Sequence, residues 1–129
     1  MVSTMGSVVL DSSVLIALFK PEDKHHQAVR DALRSPNKYL ISAISFTEVL
    51  PLAISKGKGD LIRTKLRAAV SKVVDVTEEV ASLAAEFRTV SKVATPDAVI
   101  SATAKLAKAE LWTCDQNQAR RHVGARLIA

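Results

Sequence analysis

Two apolar runs open the chain, Val8-Val9-Leu10 and Val14-Leu15-Ile16 with Leu18-Phe19, and Asp11-Ser12-Ser13 lies between them. The first run is short and rich in valine, which suits a buried strand; the second starts a packed helix. The same alternation continues to the C-terminus. Apolar strands are predicted over 7–10, 39–42, 73–76, 110–113 and 126–128. Helical patterns lie between them, over 13–19, 22–34, 43–56, 60–71, 78–92, 96–109 and 116–122. Thr95-Pro96-Asp97 predicts a cap at Thr95, a proline at the first helical position and an acid in the first turn. Thr77-Glu78-Glu79 sets two acids at a helix start, where the macrodipole favours them. Gly57 and Gly59 punctuate a helix–helix junction, and Gly124 precedes the last strand. Strands alternating with helices predict an α/β fold with a parallel sheet covered on both faces.

In such sheets ligands bind beyond the carboxyl ends of the strands, near the point where strand order reverses. That rule gives four acids one address. Asp11 ends the first strand and Asp115 follows the strand at 110–113. Asp97 opens a helix, and Glu48 sits early in the helix after 39–42. Their contexts, VVLDSS, ISFTEVL, ATPDAVISA and LWTCDQN, are apolar or small, unlike those of Asp23, Asp31 or Glu86. Each acid also has an ordinary reading. Asp97 fits a first-turn helix acid, Glu48 an exposed helix residue, and Asp115 a turn or cap. Asp11 fits a helix cap least comfortably, because an ionised carboxylate between two buried runs needs compensation. Crowded carboxylates repel unless a cation intervenes, and oxygen ligands without cysteines or paired histidines point to Mg²⁺ or Mn²⁺. Such an ion suits in-line displacement at a phosphodiester. His25 and His26 are neighbours pointing apart, His122 stands alone, and Cys114 reads as a strand-end thiol.

Composition narrows the class. The chain has 129 residues, 48% of them hydrophobic and 24% charged, so it is globular and is expected to form one domain, 1–129, with no linker or repeat. No apolar run approaches the ~20 residues of a membrane span, and the start lacks a basic signal region. A soluble, cytoplasmic protein is expected, with no membrane partner. Met5 stands just ahead of the first strand, so Met1 to Thr4 reads as a dispensable leader. The net charge of +5 mildly favours polyanionic partners. Lys56, Lys58, Arg63, Lys65, Arg67 and Lys72 cluster where Asp60 is the only acid. They form either a solvated helix face or a surface for an RNA backbone.

The four acidic motifs, taken in order, resemble those of PIN-domain ribonucleases, and especially the VapC-type toxins of bacterial toxin–antitoxin pairs. VVLDSSVLIALF is similar to the family's opening strand and first acid, ISAISFTEVL to its second motif, TPDAVISATA to its third, and LWTCDQNQARR with GARLI to its fourth. The resemblance covers essentially the whole chain. It implies a three-layer α/β/α fold around a five-stranded parallel sheet, and Mg²⁺- or Mn²⁺-dependent hydrolysis of RNA, frequently tRNA or rRNA. It implies homodimers and a VapB-like antitoxin whose C-terminal segment occupies or perturbs the site. Asp11, Glu48, Asp97 and Asp115 carry over as metal-binding acids, and Ser13 and Thr113 as hydroxyls that hold them in place. Two positions depart from the pattern. Three residues after its fourth acid the family often has an aromatic or aliphatic residue where this chain has Gln118, and where some relatives add an acid nearby, this chain has Asn117. Two alternatives stand beside this reading. One is a phospho-accepting receiver domain; the other is a PIN-like module that binds RNA or protein without cleaving.

Overall fold

The structure is a computed structural model that describes residues 6–129; the leader expected at Met1–Thr4 lies outside the described residues. The elements run β1 (Ser7–Leu10), α1 (Ser12–Phe19), α2 (His26–Ala32), β2 (Lys38–Ser42), a 3₁₀ turn (Ala43–Ser45), α3 (Phe46–Ser55), α4 (Gly59–Ala69), β3 (Lys72–Val74), α5 (Glu78–Val90), α6 (Thr95–Leu106), β4 (Glu110–Thr113), α7 (Gln116–Arg121) and β5 (Arg126–Leu127). The sheet has five strands in the order β3-β2-β1-β4-β5, and every pairing is parallel. β1 therefore sits at the centre, with Val9 paired to Leu40 on one side and Leu111 on the other. The chain leaves β1 toward β2 and β3 and returns to β4 on its far side, so strand order reverses between β1 and β4. A receiver domain has the order 2-1-3-4-5, with β3 beside β1. β4 occupies that place here, which removes the receiver alternative.

The pleat sorts the apolar residues into two layers. Val8, Leu10, Tyr39, Ile41 and Trp112 pack on one face beneath Val14 and Leu15 of α1, Val29 of α2, Val49 and Leu50 of α3 and Leu66 of α4. Val9 and Leu111 face the other way, against Ile100 and Ala104 of α6. On α6, Ala98 and Ala102 let α5 approach through Val80 and Ala84. Both faces of the central strands are thus covered, giving a three-layer α/β/α sandwich. Few aromatics are needed; Tyr39 and Trp112 meet edge-on at 5.6 Å between centroids.

Local chemistry moves several predicted boundaries. The helix expected from residue 22 begins at His26, because the Asp23 side chain accepts the His25 amide at 2.8 Å and turns the chain first. The helix expected from residue 43 starts as a 3₁₀ turn, with Ser42 Oγ accepting the Ile44 amide at 3.1 Å. Thr95 is not the cap of α6: Ala94 holds that position with extended backbone, and Thr95 is the first helical residue. Thr77 does cap α5, accepting from the Val80 amide at 3.2 Å.

Candidate active site

Asp11 stands in the cap position of α1 but makes no side-chain cap hydrogen bond. Its backbone carbonyl accepts the Val14 and Leu15 amides, and its own amide donates to Trp112 O at 2.9 Å, continuing the β1–β4 ladder. The carboxylate is left for other work. Only 3% exposed, it receives two hydroxyl donors on Oδ2, from Ser13 Oγ and Thr113 Oγ1, each at 2.7 Å. Each hydroxyl has one proton, and both go to Asp11. Their lone pairs accept backbone amides in turn: Ser13 from Cys114 at 3.0 Å, and Thr113 from Asp115 at 3.0 Å. Ser13 and Thr113 thus lock the first acid to the end of β4 and to the residue that carries the fourth.

The other oxygen of Asp11, Oδ1, is buried with no partner among the described residues. A buried acceptor without a donor costs ~1–3 kcal/mol, and more when it is charged. Three further buried polar atoms lack partners among the described residues: Ser12 Oγ, Ser45 Oγ and Gln118 Oε1. Ser12 follows β1, Ser45 follows β2, and Gln118 lies on the helix after β4. All four orphans therefore cluster at the carboxyl edge of the sheet, the edge where parallel sheets bind ligands.

Asp97 lies in the first turn of α6 and is half-buried. Its pKa is raised from 3.8 to about 6, by burial first and then by the negative charges of Asp11, Glu48 and Asp115. Arg121 opposes the rise, with Nη1 3.8 Å from Asp97 Oδ2. All four acids therefore share one electrostatic field. Asp115 caps α7, its Oδ1 accepting the Asn117 amide at 2.8 Å, and Glu48 lies exposed in the first turn of α3. Among the described residues, no three acidic, histidine or cysteine side chains converge into a finished metal-ligand group. What the fold supplies is one rigidly held carboxylate with a bare oxygen and three more acids within electrostatic reach. Hard oxygen donors carrying uncompensated negative charge fit Mg²⁺ or Mn²⁺.

The remaining candidates separate cleanly. Cys114 is a half-buried thiol whose pKa is raised to about 11, by burial and then by Asp23 and Asp11, which favours the neutral thiol over the nucleophilic thiolate. His26 packs α2 against α1, its Nδ1 2.7 Å from Ala17 O. Lys56, Lys58, Arg63, Lys65 and Arg67 are all exposed on the α3–α4 hairpin. Arg63 is paired with Asp60 at 2.7 Å. Lys56 is eight residues beyond Glu48, ~12 Å along the helix axis, whereas α4 packs back against α3, with Leu66 in one cluster with Val49 and Leu50. Two residues near the acids went unassigned by motif: Gln118, fully buried on α7, and Arg121 one turn later. The departure at Gln118 was visible in the sequence, but its partners, Asp97 O and Ser101 Oγ, were not.

Comparison with known proteins agrees with this architecture. A search of curated proteins found no match. Among solved structures, a chain of a toxin–antitoxin complex from Klebsiella pneumoniae is 25% identical with a TM-score of 0.81, covering 95% of this chain and 98% of its own. VapC20 of Mycobacterium tuberculosis, described as a sarcin–ricin loop cleaving toxin, has a TM-score of 0.74 at 16% identity, covering 88% and 93%. A DNA-bound VapBC chain from Salmonella typhimurium has a TM-score of 0.70 at 18% identity, covering 95% and 97%. At these lower identities the likeness is one of fold. The PIN-domain family model matches residues 8–123, nearly the whole described chain, and the chain belongs to the PIN-domain family.

Proposed function

We propose that this PIN domain is a divalent-metal-dependent ribonuclease and the toxin of a VapBC-type pair. The observation that carries the reading is the Asp11 carboxylate: one oxygen is pinned by Ser13 and Thr113, and the other is buried and bare. A carboxylate held that way suits a cation better than a helix cap. Asp11, Glu48, Asp97 and Asp115 would hold Mg²⁺ or Mn²⁺, which when bound activates water and offsets charge on a phosphodiester. The chain's own groups do the rest. Ser13 and Thr113 keep Asp11 from turning, and the buried β1–β4 edge restricts water around it. Arg121, within 3.8 Å of Asp97, adds a positive charge beside the acids where a phosphate would sit. Burial and the neighbouring carboxylates raise the Asp97 pKa to about 6, a penalty on its ionised form that a bound cation would relieve.

The substrate on this reading is RNA, with tRNA or rRNA the first classes to test. Lys56, Lys58, Lys65 and Arg67 are the candidates for backbone contacts, with Arg63 already engaged by Asp60. A VapB-like antitoxin and a second copy of the chain are the expected protein partners, in keeping with the toxin–antitoxin complexes that share the fold. Exposed Leu52, Ile54 and Leu61, at 58%, 57% and 50%, give the α3–α4 hairpin an apolar surface for such contacts. No described helix is long and apolar enough to cross a membrane, and the cytoplasm is the compartment expected for a protein that acts on RNA.

The test is cleavage of total RNA by the purified chain with Mg²⁺ or Mn²⁺, and with EDTA. Cleavage should require the metal and disappear in Asp11→Asn while circular dichroism stays native. Undiminished cleavage by that folded variant, or by EDTA-treated protein, sinks the mechanism and leaves a non-cleaving binding module.

A further inference from the structure

Gln118 is fully buried, yet it occupies its site imperfectly. Its Nε2 uses both protons, donating to Asp97 O at 3.0 Å and to Ser101 Oγ at 3.0 Å. Its Oε1 is buried without a partner among the described residues. Turning the amide over would set Oε1 against the Asp97 carbonyl, acceptor against acceptor, so the network fixes the orientation seen. An apolar side chain of similar size would remove the orphan acceptor. Gln118 therefore leaves one buried acceptor unmet while its amide protons are both used, and such breaches concentrate at functional sites.

The geometry says what it does there. α7 has six residues; Asp115 caps it, and Gln118 and Arg121 follow on one side at i, i+3 spacing. Gln118 grips the backbone of Asp97, and Arg121 approaches its carboxylate at 3.8 Å. One short helix therefore carries the fourth acid at its start and holds the third acid one turn on. We infer that Gln118 is a positioning residue, which fixes the separation of Asp97 and Asp115 by tying α7 to the first turn of α6. This rests on the proposed role of those acids in holding a divalent cation.

The experiment is Mn²⁺ binding by the intact protein, followed by electron paramagnetic resonance, in wild type, Gln118→Met and Ser101→Ala, together with RNA-cleavage kinetics and thermal unfolding in EDTA. Partners behind metal-binding side chains are typically worth 10–100-fold in affinity or activity. Gln118→Met should bind Mn²⁺ about tenfold more weakly and lose kcat with KM for RNA unchanged, while its unfolding temperature holds or rises. Ser101→Ala leaves the bond to Asp97 O in place and should bind Mn²⁺ as wild type does. Should the methionine variant not fold, Gln118→Leu, of the aliphatic type at this position in related motifs, is read in its stead. Wild-type Mn²⁺ affinity and kcat in a folded Gln118 variant overturn the inference alone. So does a loss of affinity that only tracks a lowered unfolding temperature. No Mn²⁺ binding by the wild-type protein overturns the proposed function, and this inference with it.

Discussion

Replacing Asp97 by asparagine should stabilise the metal-free protein while disabling it. The carboxyl has its pKa raised from 3.8 to about 6, first by burial and then by three neighbouring carboxylates. A folded-state pKa above the unfolded one means that the native state disfavours the ionised form. The destabilisation is absent below pH ~4, develops as pH rises through the 4–6 window and is complete above pH ~6. A shift of roughly two units corresponds to ~3 kcal/mol at most. The Asp97 side chain is 25% exposed, and solvent screening reduces this to ~1–2 kcal/mol. Asparagine keeps the shape, and the backbone carbonyl that Gln118 grips is untouched. Only the contact with Arg121 is lost, and at 3.8 Å between half-buried groups it is worth little. In EDTA at pH 7.5, Asp97→Asn should therefore unfold about 5 °C higher than wild type, or ~1–2 kcal/mol later in urea. The gain should vanish at pH 4. Adding Mn²⁺ should reverse the ranking, because the wild type is stabilised by ligand mass action and the variant is not. A variant that is less stable at pH 7.5, or equally stabilised at pH 4 and 7.5, refutes the account of why Asp97 titrates high.

Two further outcomes follow from the same contacts. Thr113→Val removes a donor to Asp11 Oδ2 and an acceptor for the Asp115 amide at constant shape, and should lower stability by ~1–3 kcal/mol in urea unfolding and reduce cleavage; wild-type stability would show that Ser13 alone holds the acid. Lys65→Ala with Arg67→Ala should weaken RNA binding and flatten its dependence on log salt by up to ~1.4, at ~0.7 per single-strand phosphate contact; an unchanged slope returns that hairpin to a solvated face.

The layered fold was legible because each central strand has an apolar middle, VVL, YLI or LW, between helical patterns, as strands covered on both faces do. The places of Asp11 and Asp115 followed from strand ends, and those of Glu48 and Asp97 from helix starts. What escaped the sequence was what the side chains do once there. Asp11 occupies a cap position on either reading, and only Thr113, 102 residues away, decides that its carboxylate faces the β4 edge. Asp115 turned out to cap α7 and also to act on Asp97, two roles that do not compete. The late start of α2 hinges on whether the Asp23 carboxylate or the helix claims the His25 amide. Gln118 was an oddity in a motif, and its partners lie 21 and 17 residues upstream.

The bond from Thr113 to Asp11 has a consequence for how the chain is made. It closes a loop of 102 residues, and the parallel pairing of β1 with β4 closes with it. At ~5–20 residues per second, a ribosome needs on the order of 5–20 s to pass from the first acid to the threonine that locks it. Until β4 emerges, Asp11 has Ser13 but not Thr113, and the central strand waits with one side open. Chains that stop short of β4 therefore lack both Thr113 and Asp115, whatever else has folded. On the proposed reading, a chain assembled in this order completes its acidic edge only after β4 has emerged.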